Sequence, residues 1–489
     1  MPTVTFSNRG AQISVEAGTT VLQAARQLGL ELTAPCGGSG SCGKCSVKVS
    51  GKEVLACQTK VDSDMTVELP RQAAAKILTF GQSVTLPNDP VQPGYLLAFD
   101  IGTTTVVCFL LSPEGKELAA ESMLNPQISY GADVISRIRC ALSGEMDGLT
   151  GAIRAGMSEL IAGCCGKAEL APSQVGVISV VGNPCMQQLF LGISPANLAA
   201  VPFAPALQSA STEKAASIFP ECSNAVLLTI PDVSGYVGAD TMGCVLAARM
   251  YEAEETTLMV DIGTNGEMVL SHRNRMAACS TAAGPALEGA NITFGMRGST
   301  GAIDHVWTEN GESRYSVIGN CEPVGICGSG IIDAVASLME RKLVNRRGRI
   351  QTAEELDGQR IIRLTEKIYL TQEDIRQVQM AKGAIAAGIH LMCTYLDITP
   401  AQVQKVILAG AFGSFLNPDS ACRIGLLPAE LSGRITAAGN LAGVGAKMTA
   451  MNQAQFALTT ELVRRLEFIE LAEMPTFQKT FAECMMLPV

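Results

Sequence analysis

Tyr95-Leu-Leu-Ala-Phe-Asp100-Ile-Gly-Thr-Thr-Thr105-Val-Val-Cys-Phe-Leu-Leu111 is an apolar run, a Gly-Thr turn and a second apolar run. The same construction returns 161 residues later as Thr257-Leu-Met-Val-Asp261-Ile-Gly-Thr-Asn-Gly266-Glu-Met-Val-Leu270. Apolar runs of this length bounded by turn residues read as buried strands. An internal repeat of a strand–turn–strand unit implies two related α/β halves. A third apolar run ends in a third glycine turn, Val406-Ile-Leu-Ala-Gly410-Ala-Phe-Gly413. Helical patterns fill the intervals, among them 238–249, 331–341 and 380–396.

The repeated turn carries its own chemistry. Successive backbone N–H groups form a concave anion nest, and Thr hydroxyls donate to phosphate oxygens. The Asp at the strand end is a hard oxygen donor suited to Mg²⁺, usually through its waters. The second strand follows with no helix, and no Gly-x4-Gly-Lys-Ser/Thr loop occurs, so a Walker A site is excluded. One such turn alone is also a plain hairpin. Two copies with a third glycine turn point to a nucleotide whose phosphates are clamped by both hairpins.

Ahead of these lies Cys36-Gly-Gly-Ser-Gly-Ser-Cys42-Gly-Lys-Cys45, with Cys57 after eleven further residues. Three thiols on one glycine-rich loop and a fourth from a later strand match the plant-type [2Fe–2S] pattern, C-x4-C-x2-C plus a distant Cys, with one extra residue in the first gap. The glycines let the loop curl and bring N–H groups near the sulfurs. Zinc and disulfides are the competing readings, although structural zinc sites usually pair two C-x2-4-C knuckles.

The net charge is −10, so no basic footprint argues for nucleic acid. No apolar run approaches the ~18 residues of a membrane span. The 17 Cys, mostly in apolar segments, and an N-terminus that enters a strand pattern without a signal peptide point to a reducing cytoplasm. Three His make a His-based metal site improbable. The expected domains are 1–69, a β-rich unit around one helix; 70–94, a stiff exposed Pro-rich connector with a short apolar piece at 77–80; 95–255, the first half; and 256–489, the second. The fold class is thus α+β followed by α/β.

The strands around one helix with a Cys loop at the edge resemble the β-grasp ferredoxin domain. The two Asp-Ile-Gly-Thr hairpins resemble the phosphate motifs of the superfamily of acetate and sugar kinases, Hsp70 and actin. That resemblance implies a first phosphate motif at Asp100, Gly102, Thr103 and Thr104, and a second at Asp261, Gly263, Thr264, Asn265 and Gly266. It places Gly410, Ala411 and Gly413 against the adenine nucleoside. With Tyr130-Gly-Ala-Asp-Val-Ile-Ser-Arg137, Ser234-Gly-Tyr-Val-Gly-Ala-Asp240, Gly284-Pro-Ala-Leu-Glu288-Gly and Ala409-Gly-Ala-Phe-Gly-Ser-Phe-Leu-Asn417-Pro, the whole chain resembles the reductive activases of corrinoid proteins.

What this resemblance implies is ATP-dependent, one-electron reduction of a stranded Co(II) corrinoid protein of a methyltransferase system to Co(I). The [2Fe–2S] cluster on Cys36, Cys42, Cys45 and Cys57 delivers the electron, Mg²⁺ accompanies ATP, an upstream low-potential donor recharges the cluster, and relatives suggest a homodimer. Some relatives carry extra [4Fe–4S] motifs near the C-terminus, but only Cys484 lies in the last 60 residues here, so one cluster is expected. For hydrolysis, Glu288 ranks ahead of Glu267 and Asp240 as the carboxylate that orients water, with Asp100 and Asp261 as its catalytic companions at Mg²⁺. Asn183–Met186 and Met242 are candidates for a corrinoid-facing surface, or else core. The alternatives are an activator of a radical dehydratase, a redox-regulated small-molecule kinase, and a plain electron carrier on an inactive ATPase scaffold.

Overall fold

The structure is a computed structural model, and it describes residues 1–30, 32, 34, 36–38, 40, 43–70, 86–263, 265–351 and 354–488. Cys42, Thr264 and most of the expected connector, with its apolar piece at 77–80, lie outside the described residues. So does the side chain of Ala411.

The N-terminal sheet holds β1 (Thr3–Phe6), β2 (Ala11–Ser14), β3 (Ser46–Val49), β4 (Lys52–Leu55) and β5 (Met65–Glu68) in the order β2-β1-β5-β3-β4. β1 and β5 run parallel while their outer neighbours are antiparallel, which is the β-grasp arrangement. Helix α1 (Val21–Gln27) starts at Thr20, whose hydroxyl accepts from the Gln23 N–H at 3.2 Å while Gln23 Oε1 accepts from the Thr20 N–H at 2.9 Å. This capping box satisfies two amides that the first helical turn leaves open. α1 buries Val21, Leu22, Ala24 and Ala25 on Phe6, Val47 and Val67. β4 stops at Leu55, where the chain turns: the Gln58 and Thr59 amides bond back to Leu55.

The internal repeat folds as a repeat. In the first half, β6 (Tyr95–Ile101), β7 (Thr105–Leu111) and β8 (Glu117–Leu124) form an antiparallel meander. It is followed by α2 (Val134–Cys140), α3 (Met146–Lys167), β9 (Val175–Gly182), α4 (Pro184–Leu191), β10 (Ser211–Lys214), β11 (Val226–Thr229) and α5 (Ala239–Ala247). The sheet order is β10-β11-β9-β6-β7-β8, with β9 parallel to β6 and β11 parallel to β9.

In the second half, β12 (Thr257–Ile262), β13 (Gly266–His272) and β14 (Arg275–Thr281) form the matching meander. Two small sheets follow, β16-β15-β17 and β18-β19-β20, from β15 (Ala302–Glu309), β16 (Glu312–Val317), β17 (Gly325–Ile326), β18 (Glu354–Leu356), β19 (Gln359–Arg363) and β20 (Tyr369–Thr371). Helices α6 (Gly328–Glu340), α7 (Gln372–Tyr395) and α8 (Gly410–Phe415) also belong to this half, with β21 (Lys405–Ala409), β22 (Ile435–Gly439) and β23 (Leu466–Phe468), and further helices lie at Pro418–Ile424, Leu441–Met451, Gln453–Arg465 and Phe477–Met485. The main sheet runs β22-β21-β12-β13-β14-β23, again with two parallel strands beside the meander. Each half encloses its own apolar core.

The compact units depart from the expected halves. The chain divides into two compact units, and Ala446–Thr460 belongs with the first unit although it lies deep in the second half of the sequence. There Thr449 Oγ1 meets Ser179 Oγ at 2.7 Å and the Lys447 ammonium meets Glu117 at 3.0 Å. The described end of the connector is also held down. Asp89 bonds through its backbone to Met451 and Gln453, and Gly94 lies so close to Gly176 that a Cβ on it would fall 2.8 Å from that residue's nitrogen.

Helix α7 begins eight residues before the expected 380, capped by Thr371. It carries Lys382, which is 1 % exposed and donates to the Met486 carbonyl at 2.5 Å. Burial holds this amine at about 8, whereas the unfolded chain titrates it near ~10.4. Between those values the unfolded state binds more protons, so this group makes stability rise with pH across the window. Against Lys382→Met, the parent should gain about 3 kcal/mol between pH 8 and 10.4, read from urea denaturation curves at both pH values.

Candidate functional site

The glycines of the Cys loop have the backbone the sequence requires of them. Gly37, Gly38, Gly40 and Gly43 all have positive φ, from +65° to +103°. A Cβ on Gly38 would fall 3.2 Å from Leu22 and 3.9 Å from the Cys57 Cβ, so the loop passes close over α1 and the fourth cysteine. Cys45 is buried, Cys36 and Cys57 are half-buried, and the Ala56 N–H bonds to the Cys45 carbonyl at 2.9 Å, tying the loop's end to the Cys57 turn. Soft thiolates on a curled, glycine-lined backbone suit an iron–sulfur cluster. Among the described residues no three His, Cys, Asp or Glu side chains are gathered as a metal site. Cys42, the remaining ligand of the pattern, lies outside them.

The first hairpin turn is built around its carbonyls. The Gly102 N–H bonds to the Thr105 carbonyl at 2.9 Å and closes the turn. The Gly102 carbonyl accepts from Asn125 Nδ2 at 2.8 Å, the Thr103 carbonyl from Arg137 at 2.5 Å, and the Thr104 carbonyl from the Asn125 N–H at 2.9 Å. With all three carbonyls committed, the N–H groups of Thr103 and Thr104 have no acceptor among the described residues. Thr103 Oγ1 accepts from Asn183, which caps α4 and so ties the turn after β9 to the hairpin. Asp100 sits at the same level, opposite Val107 on β7 and beside Val181 on β9.

Arg137 and Asn125 are essential to this geometry, and sequence reasoning did not single them out. Both are 0 % exposed. Arg137 donates also to the Gly131 carbonyl at 2.9 Å, to Gln127 Oε1 at 3.3 Å and to the Met186 sulfur at 2.9 Å. Met186 is therefore a floor beneath the hairpin. Met186 and Met242 are both fully buried, which places them in the core and not on a corrinoid-facing surface.

Asp240 lies at the start of α5 near a second acid the sequence did not flag. Asp232 is 2 % exposed and accepts from Gln187 at 3.0 Å and from the Ala239 N–H at 3.2 Å. Burial first, and then the Asp240 charge, push its carboxyl well above the ordinary range.

The second hairpin brings together residues that are far apart in sequence. The Gly263 N–H bonds to the Asn265 carbonyl at 2.8 Å. Asp261 pairs directly with Glu267 across β12 and β13, so the two carboxylates share one face, and Ser280 donates to Glu267 at 3.2 Å. Glu288 ends a short 3₁₀ turn, Pro285–Glu288, and its Oε1 comes within 3.9 Å of a Cβ built on Gly263. The glycine turn after β21 is the start of helix α8, with Gly410 at φ +78°. A Cβ there would fall 2.3 Å from Asp261 Oδ1. Gly413, one helical turn on, faces Leu408. Asp261, Glu267, Glu288 and Gly410 thus converge on one turn. A depression lined by Glu254, His272, Arg273 and Arg434 lies at the opposite end of β12 and takes no part in this site.

Residues 4–69 match the family described as 2Fe-2S iron-sulfur cluster binding domain, residues 95–253 the RACo middle region, and residues 255–489 the C-terminal domain of RACo, the ASKHA domain. The chain is 32% identical to the corrinoid activation enzyme RamQ of Eubacterium limosum, over 96% of each chain. It is 25% identical to the [Co(II) methylated amine-specific corrinoid protein] reductase of Methanosarcina barkeri, covering 76% of this chain and 70% of that one. Among solved structures, a reductive activator for corrinoid, iron-sulfur protein superposes with a TM-score of 0.73 at 27% identity, over 100% of this chain and 98% of that one.

The contact between Gly410 and Asp261 can be probed directly. Gly410→Ala puts a methyl group into the left-handed region, at a cost of ~1–2 kcal/mol, and against a carboxylate oxygen as well. Its urea midpoint should fall clearly below that of Gly413→Ala, whose methyl meets only the Leu408 side chain and backbone at 3.0 Å or more.

Proposed function

Since the chain belongs to the family of RACo-type reductive activators of corrinoid proteins, we propose that it reduces the Co(II) form of a corrinoid protein of a methyltransferase system to Co(I), one electron at a time, at the expense of ATP. The observation that carries this reading is the presence in one chain of a glycine-curled cysteine loop and two carboxylate-bearing hairpins, the first of which leaves the Thr103 and Thr104 amides without an acceptor among the described residues. Cys36, Cys42, Cys45 and Cys57 hold the [2Fe–2S] cluster, which when bound supplies a one-electron reductant near −400 mV. An upstream low-potential donor returns it to the reduced state, and the working protein is a homodimer.

The hairpins have separate tasks. Thr103 and Thr104 offer amides to a phosphate while Asn125 and Arg137 keep the carbonyls turned away, so no acceptor competes with the anion. Asn265 and Gly266, with Thr264 between Gly263 and Asn265, serve the second phosphate motif. Asp100 and Asp261 carry the charge that faces Mg²⁺ and its waters. Gly410, Ala411 and Gly413 form the adenosine side, where only a residue without a Cβ passes Asp261. Glu288 orients the attacking water and takes its proton, the role its approach to Gly263 supports. Asp240, beside the buried Asp232, is the candidate from the other hairpin's unit, and the nearness of Glu288 to the Gly263 turn favours Glu288.

The energetic need sets the role of ATP. For one electron each ~59 mV is tenfold in equilibrium, so a cobalt centre ~0.1–0.2 V below the cluster costs roughly 2–5 kcal/mol. A chain that only carried electrons would leave this uphill step undriven.

Two measurements test the reading. Reduced protein, ATP and a Co(II) corrinoid protein are mixed without oxygen and followed in the visible spectrum. Co(I) should grow in only with ATP, and equal growth without ATP would overturn the coupling. Cys42→Ser should abolish Co(I) formation while leaving ATP hydrolysis measurable. Glu288→Gln should lower the hydrolysis rate by about 10²-fold with nucleotide affinity retained; an unchanged rate would pass the role to Asp240 or Glu267.

A further inference from the structure

The cysteine loop and the first phosphate hairpin are joined by one short strap. Residues 125–131 leave β8, make a 3₁₀ turn over Pro126–Ser129 and lead to α2. At its first residue, Asn125 bonds twice into the hairpin turn, through its side chain to the Gly102 carbonyl and through its N–H to the Thr104 carbonyl. Four and five residues later the strap meets the ferredoxin domain. Arg26 of α1 donates to the Ser129 carbonyl from Nε at 2.9 Å and lies over the Tyr130 ring at 4.6 Å. The same guanidinium donates to the Gly37 carbonyl at 3.0 Å, one residue beyond Cys36. Gly37 itself presses on the strap: a Cβ there would fall 2.8 Å from the Tyr130 carbonyl oxygen.

The strap has little slack between these ends. The Gln127 N–H bonds to Asn125 Oδ1 at 2.9 Å, the Tyr130 N–H bonds to the Gln127 carbonyl at 2.9 Å, and Gln127 Nε2 bonds to the Leu149 carbonyl at 3.0 Å. Arg137 spans the whole strap. The edge of its guanidinium formed by Nε and Nη2 holds the Gly131 carbonyl and the Thr103 carbonyl of the hairpin, and Nη1 holds Gln127. A planar fork can hold several carbonyls in fixed relation, which a flexible ammonium cannot.

We propose that Arg137 is a positioning residue for two sites at once: it sets the first phosphate hairpin and, through the Asn125–Gly131 strap and Arg26, the seat of the cysteine loop, so that nucleotide at the hairpin alters the surroundings of the cluster. This rests on the proposed ATP and cluster sites. A phosphate drawn to the Thr103 and Thr104 amides pulls on a turn whose three carbonyls are fastened to Asn125 and Arg137. The displacement passes to Ser129 and Tyr130, where Arg26 and Gly37 meet them. Coupling of this kind needs continuous contact between discrete, well-packed groups, and each link here is a named hydrogen bond or a close approach.

The test uses the full chain with its cluster reconstituted. Nucleotide affinity is measured by titration with a fluorescent ATP analogue. The cluster's midpoint potential and the electron paramagnetic resonance spectrum of its reduced form are recorded with and without a non-hydrolysable ATP analogue. In the parent, the analogue should shift the potential or the spectrum. In Arg26→Ala and Arg26→Gln the shift should be lost while nucleotide affinity is unchanged. Arg137→Lys should lose the shift and also bind nucleotide more weakly.

A full shift in both Arg26 variants overturns the proposal, as does a parent that binds nucleotide, holds its cluster and shows no shift. A parent that binds no nucleotide or holds no cluster overturns the functional reading beneath it, and the binding titration and the cluster spectrum identify that outcome separately.

Discussion

A fully buried guanidinium is an expensive thing to place inside a protein, because an ion withdrawn from water is costly unless hydrogen bonds compensate it. Arg137 is the largest of the fully buried side chains, and it is compensated by the Gly131 and Thr103 carbonyls, by Gln127 and by the Met186 sulfur. Each partner is thereby held where the guanidinium needs it. The Thr103 carbonyl must face inward, so the amides of the turn are left for an anion. The strap after Asn125 must pass within reach of the same fork, and this brings Ser129 and Tyr130 to the place where the ferredoxin domain rests.

The two halves share one construction and diverge where it matters. In each, an Asp closes the first strand of the meander beside a parallel neighbour, and that neighbour ends in a turn: Asp100 lies beside Val181, before Gly182 and Asn183, and Asp261 beside Ala409, before Gly410. In the first half that turn is closed by Asn183, which caps a helix and bonds to Thr103. In the second half the residue after Ala409 is Gly410, in the left-handed region against the Asp261 carboxylate, where the first half has Gly182 at the end of β9.

Much of this was legible before any coordinates. The duplicated Asp-Ile-Gly-Thr run predicts two halves, and the two six-stranded sheets with matching order are its direct result. The glycines between Cys36 and Cys45 announce positive φ, and the described ones have it. Glu288 is distinguished in the sequence only by its glycine-rich neighbours, yet the turn Pro285–Glu288 carries it to Gly263. What stayed hidden are polar residues whose role depends on who packs beside them. Arg137 stands in the sequence only as the last residue of the Tyr130–Arg137 stretch, with no role attached to it, and nothing there marks Asn125. Asp232 follows an apolar strand as an ordinary turn residue would. Helix α7 was read too short because its first two turns, Gln372–Gln379, are mostly polar, and the apolar pattern begins only afterwards. The union of Ala446–Thr460 with the first unit is a tertiary fact with no local signature.

The size of the energetic problem narrows what kind of coupling the fold can use. Driving an electron uphill by ~0.1–0.2 V takes roughly 2–5 kcal/mol. Hydrogen bonds to charged groups contribute about 1.5–3 kcal/mol each, so making or breaking one or two of them suffices, and no refolding of a domain is required. Arg26 supplies bonds of this class at the cluster loop's edge, to Ser129 and Gly37. Hydrogen bonds and charges near a cluster also tune its potential. A guanidinium that moves with the strap would change the cluster's electrostatic surroundings and its access to a partner in the same step. The tight approach of Gly37 to Tyr130 leaves no room for a side chain, which would prop the loop away from the strap and break the path that the proposed coupling uses.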